Sequence, residues 1–226
     1  MPYEIKRIVK SYIILCEGLD TLNFIIQYLN SKELSKDSRF GNYIQVLNFG
    51  GISDLSMYLN NLSNMDGYEN VTHILVLRDA ETDTDRAVRK IRKALNDNSL
   101  PVPDECNKWC GEDNDEIKVA FTLLPSCSNK PVEGALEDLC WLILKDENAQ
   151  KMRHDVQNFV VSIRDKYKSI KSHEHKSRLH TYFSVNEKYI SLKIGEAATA
   201  GAFDWESENL LPLKELIEAG FNGNVN

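Results

Sequence analysis

The sequence predicts an α/β fold: a central, mostly parallel four-stranded sheet flanked by helices, followed by a helical C-terminal region. Three observations carry this. Four apolar runs have strand length, the first three are each followed by helical spacing, and the pattern beyond residue 128 is helical throughout. With 226 residues, 42% hydrophobic and 27% charged, the chain lies in the globular range and is long enough to bury a full core.

Each element has its own warrant. Ser11-Tyr12-Ile13-Ile14-Leu15-Cys16 is continuously apolar, the pattern of a strand buried on both faces. Glu17-Gly18-Leu19-Asp20 interrupts it. Leu22, Ile25, Ile26 and Leu29 then recur at helical spacing, with Asp20 or Thr21 as the expected N-cap. A polar loop over 30–42 leads to a second strand at 43–48, closed by Gly50-Gly51. Ser53 or Asp54 caps a helix carrying Leu55, Tyr58, Leu59 and Leu62. The third strand, 71–77, ends in Arg78-Asp79-Ala80-Glu81-Thr82-Asp83 and gives way to a helix over 84–95. Residues 96–116, with Pro101, Pro103 and Gly111, read as a long surface loop. The fourth strand, 118–124, is stopped by Pro125. Helices follow over 133–144, 149–170, 176–183 and 213–219. Right-handed crossovers place helices on both faces of the sheet. The expected division is an α/β domain over 1–127 and a helical region over 128–226 that folds back over the carboxylate rim.

Composition narrows the function. No apolar run reaches the roughly 18 residues of a membrane span, so no membrane partner is expected. The N-terminal residues carry no leader pattern, and the five cysteines form no even framework, so the expectation is a cytoplasmic protein with free thiols. Cys106, Cys110 and Cys127 lack the four-ligand spacing of structural zinc and read as free surface thiols; Cys16 and Cys140 sit in apolar patterns and read as core. The net charge of −7 argues against coating nucleic acid by bulk charge. The charge is segregated, however: residues 101–148 hold 11 acidic and 4 basic side chains, and residues 150–182 hold 8 basic and 3 acidic. An acidic patch followed by a basic one suits a site for a cation and an anionic ligand.

Ligands of parallel sheets bind at the carboxyl ends of the strands. The first strand ends in Glu17-Gly18-Leu19-Asp20 and the third in Asp79-Ala80-Glu81-Thr82-Asp83. If these strands are neighbours, Glu17 and Asp79 meet at one rim. Clustered carboxylates repel unless a cation neutralises them or some stay protonated. Oxygen-only ligands suit Mg²⁺ or Mn²⁺, and Mg²⁺ sites commonly share their ion with substrate phosphates.

On these residues the sequence resembles the Toprim pattern of topoisomerases, bacterial primases and overcoming-lysogenization-defect (OLD) nucleases. Ile14-Leu15-Cys16-Glu17-Gly18-Leu19-Asp20 matches its first motif, and Leu75-Val76-Leu77-Arg78-Asp79-Ala80-Glu81-Thr82-Asp83 its second, with Glu81 where the pattern has Asp. Gly134-Ala135-Leu136-Glu137, a lysine-rich segment at 176–182, and Phe203-Asp204-Trp205 extend the likeness to a compact Toprim-like family of unknown function related to the OLD nucleases. The resemblance implies a Toprim-like, Rossmann-like sheet and a Mg²⁺-dependent (or Mn²⁺-dependent) nuclease acting on DNA or RNA. It implies Glu17 as metal ligand or general acid/base, Asp79 and Glu81 on the first cation with Asp20 and Asp83 nearby, and Glu133 with Glu137 on a second. Glu133 and Glu137, at i and i+4, are expected on one helix face. Lys176 is the candidate for the scissile phosphate, and Arg86 and Arg178 join it in contacting nucleic acid. OLD-type Toprim domains work with an ABC-class ATPase. No P-loop is present here, so a separate ATPase partner, in phage defence, is the implied setting. Oligomeric state stays open, a homo-oligomer included.

Plainer readings stand beside these. Gly18 fits a strand-to-helix turn, Asp83 a helix cap, Glu133 and Glu137 helix-start acids after Pro131, and Lys176 a solvated lysine. Arg86 to Lys93 read mostly as the exposed face of a helix. The His173-Glu174-His175 cluster reads as a solvated turn. The rival function is a non-catalytic module that senses nucleotide or binds protein.

Overall fold

The computed structural model describes residues 7–31, 34, 40, 43–51, 53–111, 117–145, 147–167 and 174–220. Within them the sheet comprises β1 (Tyr12–Glu17), β2 (Ile44–Gly50), β3 (His73–Asp79) and β4 (Lys118–Leu124). Its order is β2-β1-β3-β4, and every pairing is parallel. Helices α1 (Gly18–Leu29), α2 (Leu55–Leu62) and α3 (Thr84–Asp97) connect the strands. Beyond β4 come α4 (Leu136–Leu142), α5 (Glu147–Lys166), α6 (Glu174–Ser184), α7 (Ile194–Thr199) and α8 (Leu211–Ala219).

The continuous apolar runs are central because both of their faces are covered. Ile13, Leu15, Ile74 and Val76 point into a core shared with Leu55 and Leu59 of α2 and Ile91 and Leu95 of α3. Tyr12, Ile14, Leu75 and Leu77 point the other way, into a core with Phe24 and Ile25 of α1 and Leu139, Leu179, Ala197 and Leu213 from beyond β4. This second core crosses residue 127 without interruption. The chain therefore covers one sheet face with its first crossover and its C-terminal helices together.

Helix α1 starts at Gly18, not after an Asp20 or Thr21 cap, since β1 runs directly into it. The helix expected over 133–144 starts only at Leu136. Cys106 and Cys127 are buried rather than surface thiols, and Cys110 is half-buried; all five cysteines are free. Cys16 and Cys140 lie in the core as expected. His73 stacks on Tyr12, with ring centroids 5.4 Å apart, and meets the edge of Trp109. The helix α7 had no distinct sequence signal. Most of the 30–42 loop and His173 lie outside the described residues. No helix among the described residues is long and apolar enough to cross a membrane.

Candidate functional site

The chain leaves β1 for β2 on one side and then passes over to β3 on the other, so the winding reverses between β1 and β3. Such a switch point opens a crevice at the strand carboxyl ends. Glu17 is the last residue of β1 and Asp79 the last of β3. Gly18, at φ +81°, lets α1 begin at once. Its N–H donates to Asn48 Oδ1 at 3.0 Å, and that oxygen also accepts from the Gly50 N–H at 2.8 Å, tying the turn to β2. Asp20 consequently lies exposed in the first turn of α1.

Arg78 and Asp79, as strand neighbours, point to opposite faces. Arg78 is 2% exposed. Its Nη1 donates to the Ala87 carbonyl at 3.2 Å, and its Nε lies 3.2 Å from Glu17 Oε2. The latter contact is an ion pair by distance whose N–H does not aim at the oxygen, so both atoms are buried without a hydrogen-bond partner. Burial pushes the Glu17 carboxyl up; Arg78 pulls it back, and the nearby Glu81 charge adds to the rise.

Asp79 Oδ1 accepts from the Leu136 N–H at 2.9 Å, which joins the end of β3 to the start of α4. Burial first, then the charges of Glu137 and Glu17, push its carboxyl up to about 8, against the pull of the Leu136 N–H; Glu81 contributes further. Asp79 therefore holds a proton at neutral pH when no cation is bound.

The loops around it are pinned together. Glu81, at φ +56°, exchanges two 2.8 Å backbone hydrogen bonds with Gly134. Gly134, at φ +135°, and the extended Ala135 keep the preceding residue off the helix. Glu133 is accordingly exposed and outside α4, and the i, i+4 pair with Glu137 does not form. Glu137 is 7% exposed, with Lys176 Nζ of α6 3.6 Å from its Oε1. Asp83 serves as the N-cap of α3, accepting from the Arg86 N–H at 2.8 Å. Arg178 is committed inward: it pairs with Asp138 and lies over the Trp141 ring, 5.3 Å from its centroid. Asp138 in turn accepts from the Ala135 N–H at 2.9 Å and holds the first turn of α4.

The fold thus gathers Glu17, Asp79, Glu81 and Glu137 around the β1–β3 crevice. Asp20 borders the same place: its charge, with those of Glu137 and Asp79, adds to the burial that pushes the Cys140 thiol up. Lys176 stands beside the group; Glu133, Asp83 and Arg178 are placed elsewhere or otherwise engaged. Among the described residues no three Asp, Glu, His or Cys side chains stand close enough to hold a metal ion as they are. The acids encircle Asp79 rather than converge. Two residues escaped the sequence reading. Arg78 carried a signal, since a charge ending a fully apolar strand requires a buried partner. Asp138 carried none beyond its place in a helix-start acidic run.

Residues 11–222 match the profile of the DUF3226 family, described as proteins of unknown function. None of the functionally curated proteins matches the sequence. Among solved structures, the C-terminal region of the Xanthomonas campestris pv. campestris OLD protein is similar. Its iodine-phased structure shows 15% identity and a TM-score of 0.45, covering 93% of this chain and 96% of that one. The platinum-phased structure of the same region gives 15% identity and 0.44, covering 93% and 94%.

Proposed function

The chain belongs to the DUF3226 family, and we propose that it acts at the β1–β3 crevice as a divalent-cation-dependent nuclease of the Toprim type, cleaving phosphodiester bonds in DNA or RNA. The observation that carries this is the crowding of Asp79. Burial and the neighbouring Glu137, Glu17 and Glu81 charges raise its pKa to about 8. A bound cation relieves that crowding, and an all-oxygen donor set suits Mg²⁺ or Mn²⁺. The two strand-end motifs of the Toprim pattern support the same reading.

In this reading Asp79 and Glu137 would hold the cation once their side chains turn toward it, with Glu81 beside them and Glu17 left as the base. The cation, when bound, supplies Lewis-acid polarisation of a phosphoryl oxygen. The chain's own residues do the rest. Asp79 would give up its proton to solvent on taking a cation. Glu17 would take a proton from the attacking water, a role its burial-raised pKa favours; as the water oxygen bonds to phosphorus, the bond from phosphorus to the leaving sugar oxygen breaks and that oxygen takes a proton from solvent. Arg78 orients Glu17 through the 3.2 Å ion pair. Lys176, half-exposed beside Glu137, would stabilise charge that builds on the phosphate. A separate ATPase chain, as the OLD-type resemblance implies, licenses the activity.

The experiment is cleavage of single- and double-stranded DNA and RNA with Mg²⁺ or Mn²⁺, beside Glu17→Gln and Asp79→Asn, with calorimetric metal titration of each protein. Metal-dependent products that vanish in both variants are expected. Metal binding without cleavage points to the missing ATPase chain. The absence of both sinks the enzymatic reading. The alternative, a non-catalytic module, is favoured by one observation: Arg78 and Lys176 already neutralise Glu17 and Glu137 from within the chain.

A further inference from the structure

Two clefts open beside the acidic rim on the α2/α3 side of the sheet. The first, about 300 Å³, is lined by Glu17, Arg78, Glu81, Asp83, Arg86 and Lys90. The second, about 210 Å³, is lined by Ser53, Ser56, Arg78, Lys90, Lys93 and Asp97. Arg78 and Lys90 line both, so the two clefts lie side by side along α3. The charge changes from one to the other: the first holds three acids and three bases, the second three bases and one acid.

Arg86, Lys90 and Lys93 follow one stripe of α3 at i, i+4 and i+7, spanning about 10 Å. Lys93 is tied to Asp97 at 2.6 Å. Among the described residues the side chains of Arg86 and Lys90 have no ion-pair partner. Behind them Arg78 is fixed by the Ala87 carbonyl and Glu17, a buried and permanently charged wall. A ligand matched to this pair of clefts carries phosphates in series: one at the acidic end, where a cation mediates, and the next at the basic end.

We propose that Lys90 and Arg86, backed by Arg78, form a backbone-phosphate subsite that seats the nucleotide next to the one at the acidic rim, so that a single strand of nucleic acid runs along α3. This rests on the rim being the phosphate-handling site. It adds the path of the strand and the residues that grip it.

The test reads binding, not cleavage. Anisotropy of labelled oligothymidylate and oligouridylate is followed against added monovalent salt at fixed Ca²⁺, which keeps the acidic end neutralised, for the full chain, Lys90→Gln, Lys90→Arg and Arg89→Gln. Arg89 is exposed on the same helix and lines neither cleft. Losing one phosphate contact on a single strand lowers the slope of log K against log salt by about 0.7. That drop is expected for Lys90→Gln on both oligonucleotides, with Lys90→Arg and Arg89→Gln retaining the parent slope. Equal drops for Lys90→Gln and Arg89→Gln mean bulk charge alone and overturn the subsite. An unchanged slope in Lys90→Gln, or no binding by the parent chain, overturns it too. Cleavage and cation binding that both fail while this binding pattern holds remove the nuclease reading and leave the subsite standing; cleavage with Lys90 inert in binding does the reverse.

Discussion

Asp79 is where burial, hydrogen bonding and like charge meet. Burial above all pushes its carboxyl up to about 8 in the folded chain, against an ordinary value of 3.8. The native state thus binds more protons than the unfolded state between these two values, and stability falls as pH rises through that window. The contribution is fully present below about 4 and is lost by the time pH passes about 8. Asp79→Asn keeps an oxygen for the Leu136 N–H and removes the charge. In EDTA at pH 8.5 or so, the variant is expected to melt higher than the parent, by about 2–4 °C for each kcal/mol relieved. At pH 4 or so, where the parent Asp79 is neutral, the difference is expected to close. A variant that melts lower than the parent at both pH values would show that Asp79 is not a buried proton carrier. Without a cation, Asp79 holds its proton up to about 8, so cation binding is expected to release a proton at neutral pH and to strengthen as pH rises toward 8. Calorimetry in buffers of different ionisation enthalpy reads that proton directly.

At the level of elements, the rim depends on how α4 begins. An uninterrupted helix from Glu133 would carry Glu133 and Glu137 on one face, but the positive φ that the chain takes at Gly134 breaks it. Its φ of +135° lies outside the range that side chains tolerate, and a Cβ there would come 2.6 Å from Asp138 Oδ2. That same oxygen accepts from the Ala135 N–H. Gly134→Ala is expected to cost about 1–3 kcal/mol from backbone strain alone. It should also weaken the paired Glu81–Gly134 hydrogen bonds and the Asp79–Leu136 contact. Urea unfolding measures the first effect and cation affinity the second. A Gly134→Ala protein as stable and as metal-competent as the parent would mean that the α4 start does not set the rim. The cap at Asp83 is the milder counterpart, because its single bond to the Arg86 N–H leaves the sheet untouched.

For the whole molecule, the telling feature is a core that ignores the division at residue 127. Phe24, Leu75 and Leu77 share it with Leu139, Leu179, Phe203 and Leu216. A fragment of residues 1–127 would keep α1 but leave the rest of that sheet face open to water, and an exposed apolar sheet face drives association. The expectation is that this fragment fails to unfold cooperatively and self-associates, while the full chain shows one urea transition by circular dichroism and tryptophan fluorescence. A monomeric fragment with its own sharp transition would establish 1–127 as an independent domain.

Local pattern carried much of this protein. The four strands, the α/β class and the acids at the ends of β1 and β3 were legible because buried parallel strands are continuously apolar and their ends are marked by charge. Glu17, Asp79 and Glu137 could be named from motif and position. Strand order could not, since hydrophobic period says which faces are buried and nothing about which strand lies beside which. The adjacency of β1 and β3, and with it the meeting of Glu17 and Asp79, is a product of the tertiary fold. So are the burial of Arg78 beneath both clefts, the turning inward of Arg178 onto Asp138 and Trp141, and the exclusion of Glu133 from the helix. Each depends on contacts between residues far apart in the chain, and a charged side chain shows its role only once the partners that desolvate or neutralise it are in place.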